Sequence, residues 1–596
     1  MKQSLILILT ILIMSCNPSN KNNHNEELDP NAKFSADDHR FISFEADFIR
    51  DLWVLFPSWA TSVGYHKYDS VLVVPNEDAR KTEMAFCKKY LDTLNTFKID
   101  SLNPNNRTDY RMIENQLKST EWYNNTFRSW EWDPSTYNIA GAFDDILSGN
   151  YLPLNDRMND LYDKLDNVPD YYKAAKGNIK NPTIEHTALA IKQNKGAVSV
   201  LEEIKDSIMH TDWNKEKILS AKDKIKAAQD AVESYISYLE KDIKPKMNEK
   251  TARSFRIGKE LYTKKFEYDI VSGYTATDIY HKAIKRKAEL HSEMLKLTKE
   301  LWSSKFNNKP IPKDSLLAIK MMIDALSTHH VHRDSLMSAI KKQIPELEAF
   351  IKAKNLIFLD PHKPLVVRET PIYQQGVAGA GINAPGPYDK GGNTYYNVTP
   401  LTNYTPEKAE SYLREYNSYL MQILNIHEAI PGHYTQLIYS NQSPSLIKSI
   451  FGNNAMIEGW AVYSERMMLE EGYGNNDTAL WLMYYKWHLR SVCNTILDYS
   501  VHTLNMKKED ALELLTKQAF QQKAEAEEKW NRVTLTQVQL CCYFTGFTEI
   551  YDFRNELKKS QGDKFNLKAF HEKFLSFGSA PVRDIKELMT QDKKTN

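Results

Sequence analysis

The run His427-Glu428-Ala429-Ile430-Pro431-Gly432-His433 carries two imidazoles and a carboxylate, and a second carboxylate, Glu458, follows 25 residues after His433. Imidazole nitrogens and a carboxylate oxygen are the donors of a catalytic zinc site, which takes three protein ligands and keeps a fourth position open. His427, His433 and Glu458 are the candidate ligands. Glu458 sits in the apolar segment Ala455-Met456-Ile457-Glu458-Gly459-Trp460-Ala461-Val462, where a carboxylate is costly to bury without a cation or a donor. Glu428 adjoins a ligand without being needed as one, which makes it the candidate general base for a water at the metal.

Spacing constrains the element that carries the pair. Histidines four residues apart on a helix lie about 400° around its axis and face one ion. The six-residue separation here turns about 600°, leaving the second ring roughly 120° from the first. A regular helix cannot make this site. Pro431 has no N–H for the His427 carbonyl, and Gly432 tolerates backbone angles closed to other residues. A local bulge in the helix is therefore expected to swing His433 back.

Downstream, Trp481 to Leu504 reads as one largely apolar helix crossed by Lys486, Arg490, Asn494, Asp498 and His502, each four residues from the last. Apolar flanks imply burial, and buried polar groups need partners. Asp498 or Asn494 is expected to accept the outer N–H of a ligand histidine, while His502 or Arg490 faces the substrate or the oxyanion. Tyr543, in Gln539-Leu540-Cys541-Cys542-Tyr543-Phe544-Thr545-Gly546, is the candidate hydroxyl donor to a tetrahedral oxyanion; the bland alternative is a core tyrosine. Upstream, Leu365-Val366-Val367 and Thr394-Tyr395-Tyr396-Asn397-Val398 are β-prone runs flanking a Gly- and Pro-rich stretch, Gly376 to Gly392.

From about Ser35 to Asn355 apolar residues recur at three- and four-residue spacing, without strand–helix alternation or a phosphate-binding glycine motif. Trp130 to Leu154, with Asp144-Asp145, breaks the pattern as either a cleft-lining loop or a packed connection. His329-His330-Val331-His332 reads as an exposed helix end rather than a metal tract. Cys87, Cys493, Cys541 and Cys542 read as buried apolar thiols, with one disulfide left open. Lys and Arg number 77 against 77 Asp and Glu, a balance that argues against a nucleic-acid partner.

At the start, Lys2 precedes an apolar run from Leu5 to Met14 that is too short to span a bilayer and fits a signal-peptide core. It ends Ser15-Cys16, which resembles a bacterial lipobox with acylation at Cys16. Residues 17–33 form a polar tether. The implied location is outside the cytoplasm, membrane-anchored, at the periplasm or cell surface. The expected organisation is a signal peptide over 1–16, the tether over 17–33, an N-terminal helical region over 34–363 and a catalytic helical region over 364–596. The expected fold is mainly α, a large two-lobed multi-helix architecture around a deep cleft with a small β element near 364–400.

His427 to His433 and Glu458-Gly459-Trp460-Ala461-Val462-Tyr463-Ser464-Glu465 resemble the H-E-A-x-P-G-H and E-G-W-A-x-Y-x-E motifs of the bacterial domain-of-unknown-function 885 family. The likeness covers most of the mature chain and is strongest from about Pro371 onward. Leu489-Arg490, Asn494, Leu497-Asp498 and His502 match the family's pattern, as do Phe570-His571 and Gly578, which read as packing elements. That family in turn resembles the gluzincins, zinc peptidases whose third ligand is Glu. The resemblance implies a zinc cofactor, a peptide substrate, and a strand beside the zinc helix, with Tyr396 and Asn397, that holds the substrate backbone by edge pairing. The expected function is a zinc metallopeptidase in which Tyr543 or His502 steadies the oxyanion. The alternatives are a non-catalytic surface binding lipoprotein on the same scaffold and a zinc amidohydrolase acting on cell-wall amides.

Overall fold

The structure, a computed structural model, describes residues 34–591 apart from 249, 308, 371–379 and 390. The signal peptide, Cys16, the tether and the start of the glycine-rich stretch lie outside the described residues. The fold is mainly α: the described residues form more than twenty helices and one small sheet, with strands β1 (Leu365–Glu369), β2 (Ala380–Asn383) and β3 (Thr394–Val398).

Short polar side chains set the helix starts, as side-chain acceptors for otherwise unpaired N–H groups should. Ser35 and Asp38 form a reciprocal capping box on Ala36–Leu55. Asn417, Asn453 and Asp477 cap Ser418–Glu428, Asn454–Glu470 and Thr478–Thr503. The third of these matches the helix expected over 481–504.

The principal core draws on both halves of the chain, from Phe41, Phe48 and Trp53 in the first helix to Ile585 and Leu588 in the last. A second core is formed by Leu72 and by residues from Tyr137 to Leu239. Tyr137, Ile139, Phe143 and Ile146 belong to it, so the Trp130 to Leu154 stretch is largely a packed connection. Polar contacts also tie early to late chain: Lys448 pairs with Asp109 at 2.7 Å, both buried, and Arg111 pairs with Glu587 at 2.5 Å and Asp584 at 3.4 Å. All four described cysteines are buried and unbridged.

The sheet order is β1-β3-β2, with β1 parallel and β2 antiparallel to β3. β3, the strand expected to pair with substrate, is central, so both its edges are already used. Its Tyr396 donates to Asn425 Oδ1 at 2.8 Å, Asn425 donates to Gln343 Oε1 at 2.5 Å, and Gln343 donates to the Tyr473 hydroxyl at 3.0 Å. This buried chain ties the sheet to Ser418–Glu428.

Candidate metal centre

Ser418–Glu428 ends on Glu428, the Ile430–Pro431 peptide is cis, and a new helix, His433–Asn441, begins on His433. The expected bulge within one helix is thus a break between two. The reason lies in Pro431 and Gly432. Pro431 cannot donate, and the Gly432 N–H reaches back to the Ile426 carbonyl at 3.0 Å. The chain doubles back so tightly that a Cβ on Gly432 would lie 1.8 Å from the His427 carbonyl oxygen. Only glycine fits, and the turn brings the two imidazoles to 4.8 Å between ring centres at 89°.

Glu458 arrives on the second turn of Asn454–Glu470, and its Oε2 lies 3.6 Å from His427 Nε2 and 3.4 Å from His433 Nε2. Ligands about 2.1 Å from a tetrahedral zinc lie roughly 3.4 Å from one another, so the spacing suits one ion. Among the described residues this is the one group of three side chains with metal-ligand chemistry that converges; the His329 to His332 run gathers no such set.

Hydrogen bonding tests the same fit. His427 Nδ1 is 2.7 Å from Glu465 Oε1, a carboxylate that accepts the Nδ1 proton and turns Nε2 toward Glu458. Glu458 Oε2, buried, has no hydrogen-bond partner. A buried carboxylate oxygen this close to two imidazole nitrogens is stabilised by positive charge between them. Burial alone would lower the His427 imidazole, yet the carboxylates of Glu458 and Glu465 lift it to about 10, so the surroundings of this ring favour a cation there. Burial would raise the Glu458 carboxyl, but both imidazoles hold it well below the usual carboxylate range.

The three side chains open onto a cavity of about 310 Å³ that Glu428, Tyr543, Ile382, Leu437 and Ile457 also line. Burial raises the Glu428 carboxyl, and the charges of His433 and His427 oppose the rise. Tyr543, on Cys542–Gln561, accepts a hydrogen bond from Arg532 Nη2 at 3.1 Å. Ile382 belongs to β2, whose outer edge has no strand partner among the described residues. The strand edge beside the pocket is therefore β2 rather than β3. Tyr396 is spent on Asn425, and Asn397 accepts from Arg368 Nε at 2.7 Å.

The polar stripe lies elsewhere than expected. Asp498 accepts the N–H groups of Val538 and Leu540, both at 2.9 Å, holding the turn before the Tyr543 helix. Asn494 Oδ1 is buried without a partner and does not meet a candidate ligand. His502 Nε2 faces the carbonyls of Val533 and Thr536 at 2.9 and 3.0 Å, away from the cavity. Arg490 pairs with Glu525 at 2.5 Å and does not line the cavity. The partner of His427 is Glu465, whose Oε1 also accepts from Trp487 Nε1 at 2.9 Å. Glu465 lies seven residues after Glu458, two turns on along the same helix face, which is the signal that marks it.

These features can be set beside known proteins. A solved structure described as a lipoprotein of unknown function from Shewanella oneidensis is 52% identical, covering 92% of this chain and 99% of that one with a TM-score of 0.84. A second, described as a lipoprotein from Colwellia psychrerythraea, is 17% identical and shares the fold, covering 94% of this chain and 100% of that one with a TM-score of 0.76. No curated protein matches the sequence. The family described as bacterial protein of unknown function (DUF885) matches residues 57–589, and the chain belongs to that family.

Proposed function

We propose that the chain is a zinc-dependent hydrolase, a metallopeptidase resembling the gluzincins, anchored outside the cytoplasm through a lipid on Cys16. The observation that carries the reading is the shared pocket: three convergent ligand atoms, one of them a buried unpartnered carboxylate oxygen, with an uncommitted carboxylate and a tyrosine hydroxyl on its walls. His427, His433 and Glu458 would hold the zinc. When bound, zinc supplies Lewis acidity to a carbonyl and acidifies a water.

The chain's own groups do the rest. The β2 outer edge, with Ile382 at the pocket, receives an extended substrate backbone. Glu428 takes the proton of the attacking water and passes it to the leaving amine. Tyr543 donates its hydroxyl to the developing oxyanion, and the Arg532 bond to its oxygen makes it a stronger donor. The lipid anchor is supported by the lipobox-like Ser15-Cys16 and by the description of both structural relatives as lipoproteins; no described helix is long and apolar enough to cross a membrane. An intact Glu428 speaks against a pure binding role, which has no use for a base there.

Metal analysis of the purified chain together with a peptide-library digest tests the reading, run on the wild type and on Glu428→Gln. Zinc in both and cleavage by the wild type alone is the expected result. Zinc in both with cleavage by neither would replace the hydrolase with a binding lipoprotein.

A further inference from the structure

A second cavity, about 510 Å³ and larger than the metal pocket, opens along the helix Pro104–Trp122. Arg111, Asn115, Ser119 and Tyr123 line it at four-residue intervals, so it follows one face of that helix and its continuation for about 18 Å. About five residues of extended chain span that length. Phe56, Trp59 and Phe451 give it an aromatic side, with Trp59 6.2 Å from Phe56 and 5.6 Å from Phe451 between ring centres.

The polar side offers acceptors. Asn115 and Asn124 spend N–H groups inside the protein, on the Tyr268 carbonyl at 3.0 Å and on Glu83 Oε2 at 2.9 Å, and Gln116 donates to Thr120 Oγ1 at 3.4 Å. The side-chain oxygens of these three amides have no hydrogen-bond partner among the described residues. Asp584 takes Arg111 on Oδ1, but its Oδ2 is buried without a hydrogen-bond partner, 3.7 Å from Arg583 Nε. Asp269 is spent on Lys265 at 2.6 Å and on the Tyr123 hydroxyl at 2.8 Å, and Arg111 on Glu587 at 2.5 Å. Glu83, half-buried on the wall, is met by Asn124 and forms no ion pair among the described residues. Burial raises its carboxyl, and the Asn124 amide and Arg80 oppose the rise. Free acceptors, one carboxylate outside any ion pair and aromatic rings beside them suit a ligand that brings several N–H donors and one basic group.

The cavity adjoins the metal centre. Asn454 lines it, one helical turn before Glu458. Gly452, also on its wall, would carry a Cβ 3.1 Å from the Cδ1 of Ile457, whose side chain lines the metal pocket. Resting on the peptidase reading, we infer that this cavity receives the part of a peptide substrate away from the scissile bond. Backbone N–H groups meet the amide oxygens and Asp584 Oδ2, and a lysine or arginine side chain meets Glu83. The substrates are then oligopeptides that carry a basic residue a few positions from the cut. A free aliphatic polyamine offers the same donors from another source, and the experiment separates the two.

Calorimetric titration of Glu428→Gln reads the subsite without turnover, using octapeptides in which a single lysine is walked along the chain, the matching norleucine peptides, and spermidine. At one or two positions lysine is expected to bind about tenfold more tightly than norleucine, the worth of one charge-assisted bond. Adding Glu83→Gln, which keeps an acceptor for Asn124, should erase that difference, while adding Asn115→Leu should weaken both peptides alike; thermal melts confirm that each variant is folded. No lysine preference at any position, a preference that survives Glu83→Gln, or spermidine binding more tightly than every peptide would each overturn the inference. Digestion by the wild type is read separately: lysine preference in binding with no cleavage sinks the hydrolase reading alone, and cleavage with no lysine preference sinks the subsite alone.

Discussion

On the proposed reading, Glu465 sets how firmly His427 would hold an ion. A carboxylate on the outer N–H fixes the tautomer and makes the facing nitrogen a better donor, and Trp487 keeps that carboxylate aimed. Glu465→Gln retains an acceptor but loses the charge, so zinc affinity should fall about 10- to 100-fold with the melting temperature of the zinc-loaded protein little changed; competition against a chromogenic chelator measures it. An unchanged affinity would remove Glu465 from the site. The convergence of His427, His433 and Glu458 is readable from sequence because a lone acid in an apolar segment has few explanations. Glu465 is harder to read, since a glutamate on a helix is ordinarily solvated. Asp498 misleads for a related reason: four-residue spacing defines a stripe, but which neighbour faces it depends on helix packing, and here the neighbours are the N–H groups of Val538 and Leu540.

At the scale of elements, the Glu458 helix and the Tyr543 helix touch through two glycines. A Cβ on Gly459 would lie 2.4 Å from the backbone of Gly546, and one on Gly546 would lie 1.6 Å from the Ala455 carbonyl oxygen. This contact sets the distance between Glu458 and Tyr543, the proposed metal ligand and oxyanion donor. Gly546→Ala should force the helices apart, costing about 3 kcal/mol or more in stability and depressing turnover more than zinc content; chemical denaturation and single-turnover kinetics check both. Helices such as Thr478–Thr503 are legible because apolar periodicity directly encodes a buried face. The break at residues 429–432 is legible only in part: Pro431 and Gly432 announce an interruption, while its geometry depends on the Gly432 N–H reaching Ile426. Strand order is not legible, since alternation in β3 says nothing about which strands flank it, and so the edge beside the pocket falls to β2.

Across the whole molecule, burial couples acidity to folding. His571, fully enclosed between the Leu356 carbonyl and the Tyr463 hydroxyl at 2.8 Å each, is lowered by burial to about 4. Between pH 6.5 and about 4 the unfolded chain takes up a proton that native His571 refuses, so stability declines by about 1.4 kcal/mol per pH unit and levels off below that window. His488 and His502, also pushed down by burial, act in the same direction. Melting temperatures recorded from pH 7 to pH 4 should fall, and His571→Gln should flatten the slope by its share; an unaltered slope would contradict the burial argument. The mixing of early and late residues in one core has a further consequence for synthesis. Arg111 waits 473 and 476 residues for Asp584 and Glu587, and the first helix shares its core with the last. A polypeptide therefore cannot complete this core before the segment holding Val582, Ile585 and Leu588 has been made.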